Sequence, residues 1–215
     1  MATASLPPPA APAAADAPTG RPEGVLYRLS ADEYFRMVES DIIPPDRRVG
    51  LWEGQLYEKM AKKLPHSTSH ELILFALIRV VPGGWWVATE RPILVDDFTA
   101  PLPDVSVIRG HANDYYRRGS VPKVGEIGLV VEVADSSLRK NLTETLRTYA
   151  RAGLPVYWVV NLVARRVEVY SDPQAGDGGY AKAEAFAAGD AVPLVLDGRE
   201  VARIPARDLL PEELA

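Results

Sequence analysis

The most informative segment of the chain is Gly128-Leu129-Val130-Val131-Glu132-Val133, an apolar run that contains a single carboxylate. A continuous apolar run of this length is typical of a central β-strand that is buried on both faces. A carboxylate in such a strand must either lose its charge or be stabilised, because an unpaired buried charge is costly. Glu132 is therefore a candidate functional residue.

The segments that follow this run predict the rest of a mixed sheet. Residues 141–152 have a helical pattern that stops at Gly153, and a second apolar run extends from Val156 to Val160. A further strand is predicted from Arg166 to Tyr170, paired with the second run. The order strand, helix, strand favours a right-handed crossover. We therefore expect an α/β (α+β) fold with a mixed central β-sheet flanked by helices.

The preceding half of the chain predicts a helix, a hairpin and several short strands. Ser30 stands three residues before Glu33, which is a capping-box signature for a helix that runs to about Glu39. Alternating residues on both sides of Gly54 predict a β-hairpin with Glu53 near its turn. The other predicted elements are a helix from His66 to Val80, strands at Trp85 to Ala88, Pro92 to Val95 and Asp104 to Ile108, and short strands from Tyr180 onward that end in a helix near Leu209.

Length and composition predict one folded domain. The chain has 215 residues, of which 47% are hydrophobic, enough for one sizeable core but hardly for two. Residues 1–24 are rich in Ala and Pro without apolar periodicity, so we expect a disordered tail and a single domain over residues 25–215. There is neither a secretory signal pattern nor a stretch of about 20 apolar residues that would span a membrane. A soluble, cytoplasmic protein without membrane partners is expected.

The residue inventory points to carboxylate chemistry. Cysteine is absent and only 3 histidines are present, so thiolate nucleophiles and Cys-ligated zinc are excluded. The formal net charge of -5 argues against strong non-specific nucleic-acid binding, although it leaves room for a local basic patch.

Two carboxylates on different strands are the strongest candidates for a metal site. Asp104 follows Pro103 at the start of one strand and Glu132 lies inside a later one, so both can converge on one point of the sheet. Mg²⁺ is commonly bound by one or two carboxylates, with water and substrate phosphate as the other ligands. The alternative for Asp104 is a residue that only starts the strand or caps a turn.

Several motifs in order resemble the Uma-type family of putative restriction endonucleases, in the PD-(D/E)xK nuclease superfamily. The resemblance spans roughly Leu26 to Pro173. The motifs that carry it are Glu53-Gly54 with Tyr57, Pro65-His66, Pro103-Asp104-Val105-Ser106-Val107, Val130 to Ser137, Tyr149-Ala150-Arg151-Ala152-Gly153 and Val156 to Asn161.

The resemblance implies a restriction-endonuclease-like fold, a Mg²⁺ or Mn²⁺ cofactor and hydrolysis of phosphodiester bonds in DNA. It implies that Asp104 and Glu132 are catalytic and bind the metal, which polarises the scissile phosphate and lowers the pKa of the attacking water. Glu53 matches an early acidic position of the family and is a third metal candidate; its alternative is an exposed hairpin carboxylate. His66 matches the family's Pro-His pair and is an accessory candidate, although a His at a helix start is more often a cap or a packing residue.

One departure from the family pattern concerns the catalytic lysine. Members usually carry an Asp and, four residues later, a Lys on the helix after the glutamate strand; these positions are Asn141 and Thr145 in this chain. A neutral Thr145 cannot stabilise charge on a phosphate as a lysine does. A relocated cation from Lys59, Lys62, Lys63 or Lys140 is one alternative, and an ordinary solvated surface is the other.

Three hypotheses follow. The first is a metal-dependent DNA endonuclease, impaired where Thr145 replaces the lysine. The second is a catalytically inactive nuclease-fold domain that acts as a binding module, favoured by Asn141 and Thr145. The third is an interaction module that forms a homodimer through an apolar helix face, which an exposed apolar patch would indicate.

Overall fold

A computed structural model describes residues 24–135, 141–176 and 178–212. The helices are α1 (Ala31–Glu39), α2 (Leu64–Val80), α3 (Ala112–Arg117) and α4 (Leu146–Arg151), with a π-helical turn at Asn141–Thr145 and 3₁₀ turns at Val124–Glu126 and Ala206–Leu209. The strands are β1 (Val49–Trp52), β2 (Gln55–Glu58), β3 (Trp85–Thr89), β4 (Val105–Arg109), β5 (Ile127–Ala134), β6 (Val156–Asn161), β7 (Arg166–Gln174), β8 (Gly179–Ala187), β9 (Ala191–Leu196) and β10 (Arg199–Pro205).

The centre of the fold is a six-stranded sheet in the order β3-β4-β5-β6-β7-β8. Strands β5 and β6, the two apolar runs of the sequence, are parallel, and the other neighbours in this sheet are antiparallel. The π-helical turn and α4 lie between β5 and β6 along the chain. The predicted mixed central sheet with flanking helices is confirmed.

The two faces of this sheet are packed against different elements. Val131 and Val133 of β5 belong to a core that also contains Ile73 and Leu77 of α2 and residues of β9 and β10. Val130 and Ala134 belong to the opposite core, together with Tyr149 of α4. Side chains alternate along a strand, so Glu132 lies on the α4 side. This alternation explains how one carboxylate interrupts an otherwise apolar strand.

The region before the sheet forms as its local signals predict. Ser30 Oγ accepts from the Glu33 backbone N–H, and Glu33 Oε2 accepts from the Ser30 backbone N–H at 2.8 Å, which completes the capping box of α1. Strands β1 and β2 form the predicted hairpin around Glu53 and Gly54. A Cβ on Gly50 would lie 2.7 Å from the ring of Tyr57, so the absence of a side chain at position 50 lets Tyr57 cross β1.

The strand predicted at Pro92 to Val95 is wrong. Ile93 and Val95 donate their backbone N–H groups to Pro101 and Thr99 in the segment ahead of β4, and Leu94 donates to Pro122 in another loop. Pro92 has no N–H to donate. The bridges of this segment, at Leu94 and Asp96, are isolated, so it connects two loops and forms no strand.

Other boundaries differ by a few residues. The predicted helix over residues 141–152 begins as a π-helical turn before it continues as α4, and the terminal helix near Leu209 is a single 3₁₀ turn. The short helix α3 had no counterpart in the sequence patterns. Within the described residues no helix is long and apolar enough to cross a membrane. The predicted tail, apart from Gly24, lies outside the described residues.

Candidate active site

The register of β4 and β5 brings the two predicted carboxylates together. Val105 pairs with Val131 in this antiparallel ladder. Extending the register by one residue places Asp104 opposite Glu132, and residues directly opposite each other on antiparallel strands have their side chains on the same face. Asp104 therefore lies next to Glu132 at the N-terminal end of β4, directly after the segment from Pro101 to Pro103.

Asp104 is almost fully buried, with 1% of its surface exposed, and both of its carboxylate oxygens have partners. Oδ1 lies 2.7 Å from Lys59 Nζ and 3.3 Å from Lys62 Nζ. Oδ2 accepts from the backbone N–H of Val133 at 2.9 Å and lies 3.3 Å from His66 Nε2. The carboxylate of Asp104 is thus held in one position from three elements of the fold.

These contacts determine the charge on Asp104. Burial alone would raise the pKa of this carboxyl, but the hydrogen bond from His66 and the positive charges on Lys59 and Lys62 outweigh it and hold the pKa well below its usual range. Asp104 is therefore ionised near neutral pH, in a position where water reaches it poorly.

Glu132 has the opposite electrostatic situation. Burial raises the pKa of Glu132 to about 8; the attraction of Lys59 opposes this rise, and the negative charge on Asp104 adds to it. Its side chain is 13% exposed, and its Oε2 lies 3.9 Å from Lys59 Nζ. Among the described residues, Lys59 is the cation that pairs with Glu132, and its charge does not offset the effect of burial on this carboxylate.

Lys59 joins the two carboxylates from the β1–β2 hairpin. It follows β2, and its ammonium also donates to the backbone oxygen of Leu102 at 2.8 Å. Burial would lower the pKa of Lys59, but the carboxylates of Glu132 and Asp104 raise it above its ordinary value. Lys59 is therefore charged at neutral pH.

A cleft of about 350 Å³ opens onto this cluster. Its walls come from the segment after β2, the start of α2, the segment before β4, the end of β5 and the helix before β6. The lining residues are Trp52, Tyr57, Glu58, Lys59, Met60, Ala61, Lys62, Lys63, His66, Pro101, Leu102, Asp104, Glu132, Val133, Asp135, Thr145 and Tyr149.

Three of the four lysines that are candidates for a relocated cation line this cleft. Lys59, Lys62 and Lys63 come from a segment of five residues. The net charge of the whole chain is negative, yet these lysines concentrate positive charge at the site. Lys140, the fourth candidate, lies outside the described residues.

A further acidic residue near the cleft, Glu90, was not predicted from the sequence. Glu90 follows β3 and pairs with Lys62 Nζ and with Arg48 Nη1, each at 2.9 Å. Burial would raise the pKa of Glu90, but hydrogen bonds and charge from Lys62 and Arg48 lower it. Glu90 thereby holds Lys62 beside Asp104. Its partners are distant along the chain, so no local pattern indicates this role.

The structure distributes the other predicted site residues unevenly. His66 and Thr145 line the cleft, and Thr145 is 5% exposed. Asn141 begins the π-helical turn, and its side chain lies outside the described part of the structure. Glu53 lies exposed at the hairpin turn with a φ of 48°, outside the cleft lining, so the structure does not bring it to Asp104 and Glu132.

The oxygens at this site are the donors that a hard divalent cation prefers. Asp104 and Glu132 present adjacent carboxylates, and Asp135 lines the same cleft. Across residues 24–135, 141–176 and 178–212, no group of three or more His, Asp or Glu side chains is arranged to hold a metal. The set fits a cation with one or two protein carboxylates and water as its remaining ligands, as is usual for Mg²⁺.

Comparison with known proteins finds similarity to one family and to solved structures. The model of the Uma2 family, described as a putative restriction endonuclease, matches residues 31–204. A crystal structure of a putative nuclease of the DUF820 group from Anabaena variabilis superposes with a TM-score of 0.60 and 18% identity, over 84% of this chain and 97% of that one. No curated protein matches the chain. The structural match shows a shared restriction-endonuclease-like fold.

Proposed function

Since the chain belongs to the Uma2 family of putative restriction endonucleases, which supports a nuclease-type function, we propose that it is a metal-dependent DNA endonuclease of the PD-(D/E)xK type. The observation that carries the proposal is the pairing of Asp104 and Glu132 at the floor of a lysine-lined cleft. Two buried carboxylates side by side repel each other, and a fold without a use for them has no evident reason to keep both.

Asp104 and Glu132 would hold Mg²⁺ or Mn²⁺. A bound divalent cation supplies positive charge to the scissile phosphate and lowers the pKa of a water molecule. The observation that supports the fit is Glu132, whose pKa is raised to about 8 because it is buried beside another carboxylate. A cation with two positive charges would stabilise its ionised form.

The residues of the chain orient and balance this pair. The backbone N–H of Val133 and the side chain of His66 fix Oδ2 of Asp104, which leaves Oδ1 directed at the lysines. His70 Nε2 lies 3.0 Å from the backbone oxygen of Asp104 and anchors the chain at this residue. Such fixed positions favour catalysis because little reorganisation is needed during the reaction.

The reaction consumes one water molecule. The water oxygen forms a bond to phosphorus, and the bond from phosphorus to the leaving sugar oxygen breaks with its electron pair. The attacking water loses one proton and the leaving oxygen gains one, so neither an oxidant nor a reductant is needed. DNA as substrate follows from the family, and the cleft lysines supply the charge that a phosphate backbone requires.

A specific observation favours a second candidate function. Thr145, where the family resemblance calls for lysine, lies in the cleft and is neutral. A chain that has lost cleavage but retains the lysines would bind DNA without cutting it. The predicted homodimer stays a prediction; Phe75 and Ile78 of α2 are each more than half exposed.

The experiment is a nicking assay on supercoiled DNA and on single-stranded circular DNA, with Mg²⁺ and then Mn²⁺. The parent is compared with Asp104→Asn and with Glu53→Gln, each purified identically. Glu53 is an exposed carboxylate outside the cleft, so Glu53→Gln is a matched control for loss of one negative charge. Thermal unfolding establishes that the variants are folded.

Cleavage by the parent and by Glu53→Gln, with none by folded Asp104→Asn, supports the endonuclease. Equal cleavage by all three preparations indicates a contaminating nuclease and contradicts the proposal. Binding of DNA by the parent without any cleavage, in either metal, points to the second candidate function.

A further inference from the structure

The hairpin places one ammonium group at the centre of the site. Lys59 lies at the end of β2, where its backbone N–H donates to Arg48 O at 2.8 Å. Its Nζ donates to Leu102 O at 2.8 Å and to Asp104 Oδ1 at 2.7 Å. With the backbone and the ammonium both fixed, Lys59 occupies one position.

Lys59 differs from its neighbouring lysines in what it contacts. In the part of the chain that the structure describes, it is the cation that pairs with both Asp104 and Glu132. Lys62 is shared between Glu90 and Asp104, so it balances a structural carboxylate as well. Lys63 is exposed at the N-cap of α2. Among the described cations, Lys59 is therefore the one that lies between the two carboxylates.

Two neutral side chains from the π-helical turn and α4 also line the cleft. Thr145 lies there with 5% of its surface exposed, and Tyr149 follows on α4 with a buried hydroxyl that has no hydrogen-bond partner. Neither side chain carries a charge that stabilises a phosphate. Among the described residues, the positive charge that lines the cleft comes from Lys59, Lys62 and Lys63 and not from Thr145 or Tyr149.

We infer that Lys59 contacts the substrate phosphate and stabilises the negative charge that develops there, in place of a lysine at position 145. This inference rests on the proposed endonuclease function and adds the residue that supplies the fixed positive charge. A cation placed in advance in a poorly hydrated site stabilises such charge far better than one in open water. The neutral Thr145 on the helix and the buried Lys59 on the hairpin then have a common explanation.

A competing role for Lys59 is that of a simple counter-ion. In that case it would neutralise Asp104 and Glu132 only until a divalent cation binds, and it would contribute nothing to the reaction. The two roles differ in one measurable respect. Removal of a counter-ion leaves cleavage at saturating metal unchanged or faster, because the carboxylates become freer to bind metal, whereas removal of a phosphate contact slows cleavage at any metal concentration.

The test compares four forms of the full chain at saturating Mg²⁺ and Mn²⁺: the parent, Lys59→Met, the double variant Lys59→Met with Thr145→Lys, and Arg47→Met. Arg47 is an exposed cation near the same hairpin; its own side chain does not line the cleft, although its partner Glu58 does. It therefore controls for the loss of one positive charge. Metal affinity and thermal unfolding are measured for each form.

We expect Lys59→Met to cleave about 10²-fold more slowly or worse at saturating metal, with metal binding retained or tightened. The double variant should recover at least part of that loss, which a purely structural role of Lys59 does not predict. Arg47→Met should resemble the parent. Parent-like cleavage by folded Lys59→Met at saturating metal would overturn the inference.

A second readout separates failure of this inference from failure of the proposed function. Binding of a DNA duplex is measured with Ca²⁺ in place of Mg²⁺. If the parent never cleaves, the endonuclease proposal fails, and weaker DNA binding by Lys59→Met than by Arg47→Met still supports a phosphate contact. Equal binding by these two variants would overturn the contact as well.

Discussion

Two buried glutamates in the same sheet have opposite surroundings. Glu168 on β7 is 5% exposed and accepts hydrogen bonds from Asn161 Nδ2 at 3.0 Å, Arg166 Nε at 2.9 Å and Tyr170 OH at 2.8 Å. Glu132 on β5 is similarly enclosed, yet its closest described cation is Lys59 at 3.9 Å. Among the described residues, Glu168 therefore has three hydrogen-bond donors, whereas Glu132 has one cation at a longer distance.

The electrostatic consequences are opposite in sign. Burial would raise the pKa of Glu168, but the hydrogen bonds from Asn161, Arg166 and Tyr170 lower it. At Glu132 burial prevails and raises the pKa to about 8. A buried carboxylate that the protein satisfies contributes to the fold, whereas one left short of positive charge is a candidate for binding a cation. Burial alone would not have distinguished them.

The largest expected effect is on activity at Glu132. Glu132→Gln keeps the shape of the side chain but cannot become ionised, so we expect DNA cleavage to fall about 10²-fold or more through loss of a metal ligand. Because the folded-state pKa of Glu132 is raised, its ionised form opposes folding as pH rises toward 8, and the neutral amide removes that opposition. Urea unfolding at pH 8 should show Glu132→Gln at least as stable as the parent.

Cleavage by Glu132→Gln at the parent rate would remove Glu132 from the site. A marked loss of stability in this variant would make Glu132 a structural carboxylate like Glu168, and the contrast between the two residues would disappear.

A smaller effect, this time on stability, is expected at Glu168. Glu168→Gln weakens three hydrogen bonds to a charged acceptor, and hydrogen bonds of this kind contribute about 1.5–3 kcal/mol. Since Arg166 is half exposed, the lower end of this range, roughly 2 kcal/mol of unfolding free energy, is expected. Urea unfolding measures this change, and Glu184→Gln at an exposed position of β8 is the matched control.

Cleavage by Glu168→Gln below its unfolding transition should equal that of the parent, because Glu168 does not line the cleft. Unchanged stability together with lost cleavage would reverse the assignment of the two glutamates.

The sequence predicted the elements on which both glutamates lie, but only one of their roles. The apolar runs at β5 and β6 identify central strands since few other structures bury every residue in succession. A lone carboxylate in β5 is conspicuous for the same reason. Glu168 lies in a strand of mixed polar and apolar residues. One of its hydrogen-bond donors is Asn161, which the pairing of β6 with β7 brings close to it.

The sequence predicted the anionic residues of the site, but not which cations contact them. Asp104 and Glu132 lie on regular strands, so their convergence follows from strand pairing. Which lysine reaches them depends on how the hairpin packs against Leu102, and Glu90 acts through Lys62 and Arg48 far away along the chain. Contacts between irregular segments leave no periodicity in the sequence. For the same reason, the apolar residues from Pro92 to Val95 falsely predict a strand.

The smallest expected effect, about 1.4 kcal/mol of metal-binding free energy per pH unit, is a pH dependence that the two glutamates do not share. A divalent cation requires ionised Glu132, whose pKa is about 8, so binding must displace a proton at lower pH. Metal affinity should therefore rise by about tenfold per pH unit from pH 6 toward 8 and level off above that value. Glu168, with its lowered pKa, stays ionised throughout this range and contributes nothing to the slope.

Titration with Mn²⁺ at pH 6, 7, 8 and 9 measures this slope for the parent, Glu132→Gln and Glu168→Gln. The parent and Glu168→Gln should follow the same curve, while Glu132→Gln should bind weakly with little dependence on pH, because no proton at position 132 is left to displace. A flat curve for the parent would mean that the lysines already keep Glu132 ionised. In that event both glutamates would be satisfied by the protein, and the reason to place a cation at Glu132 would be lost.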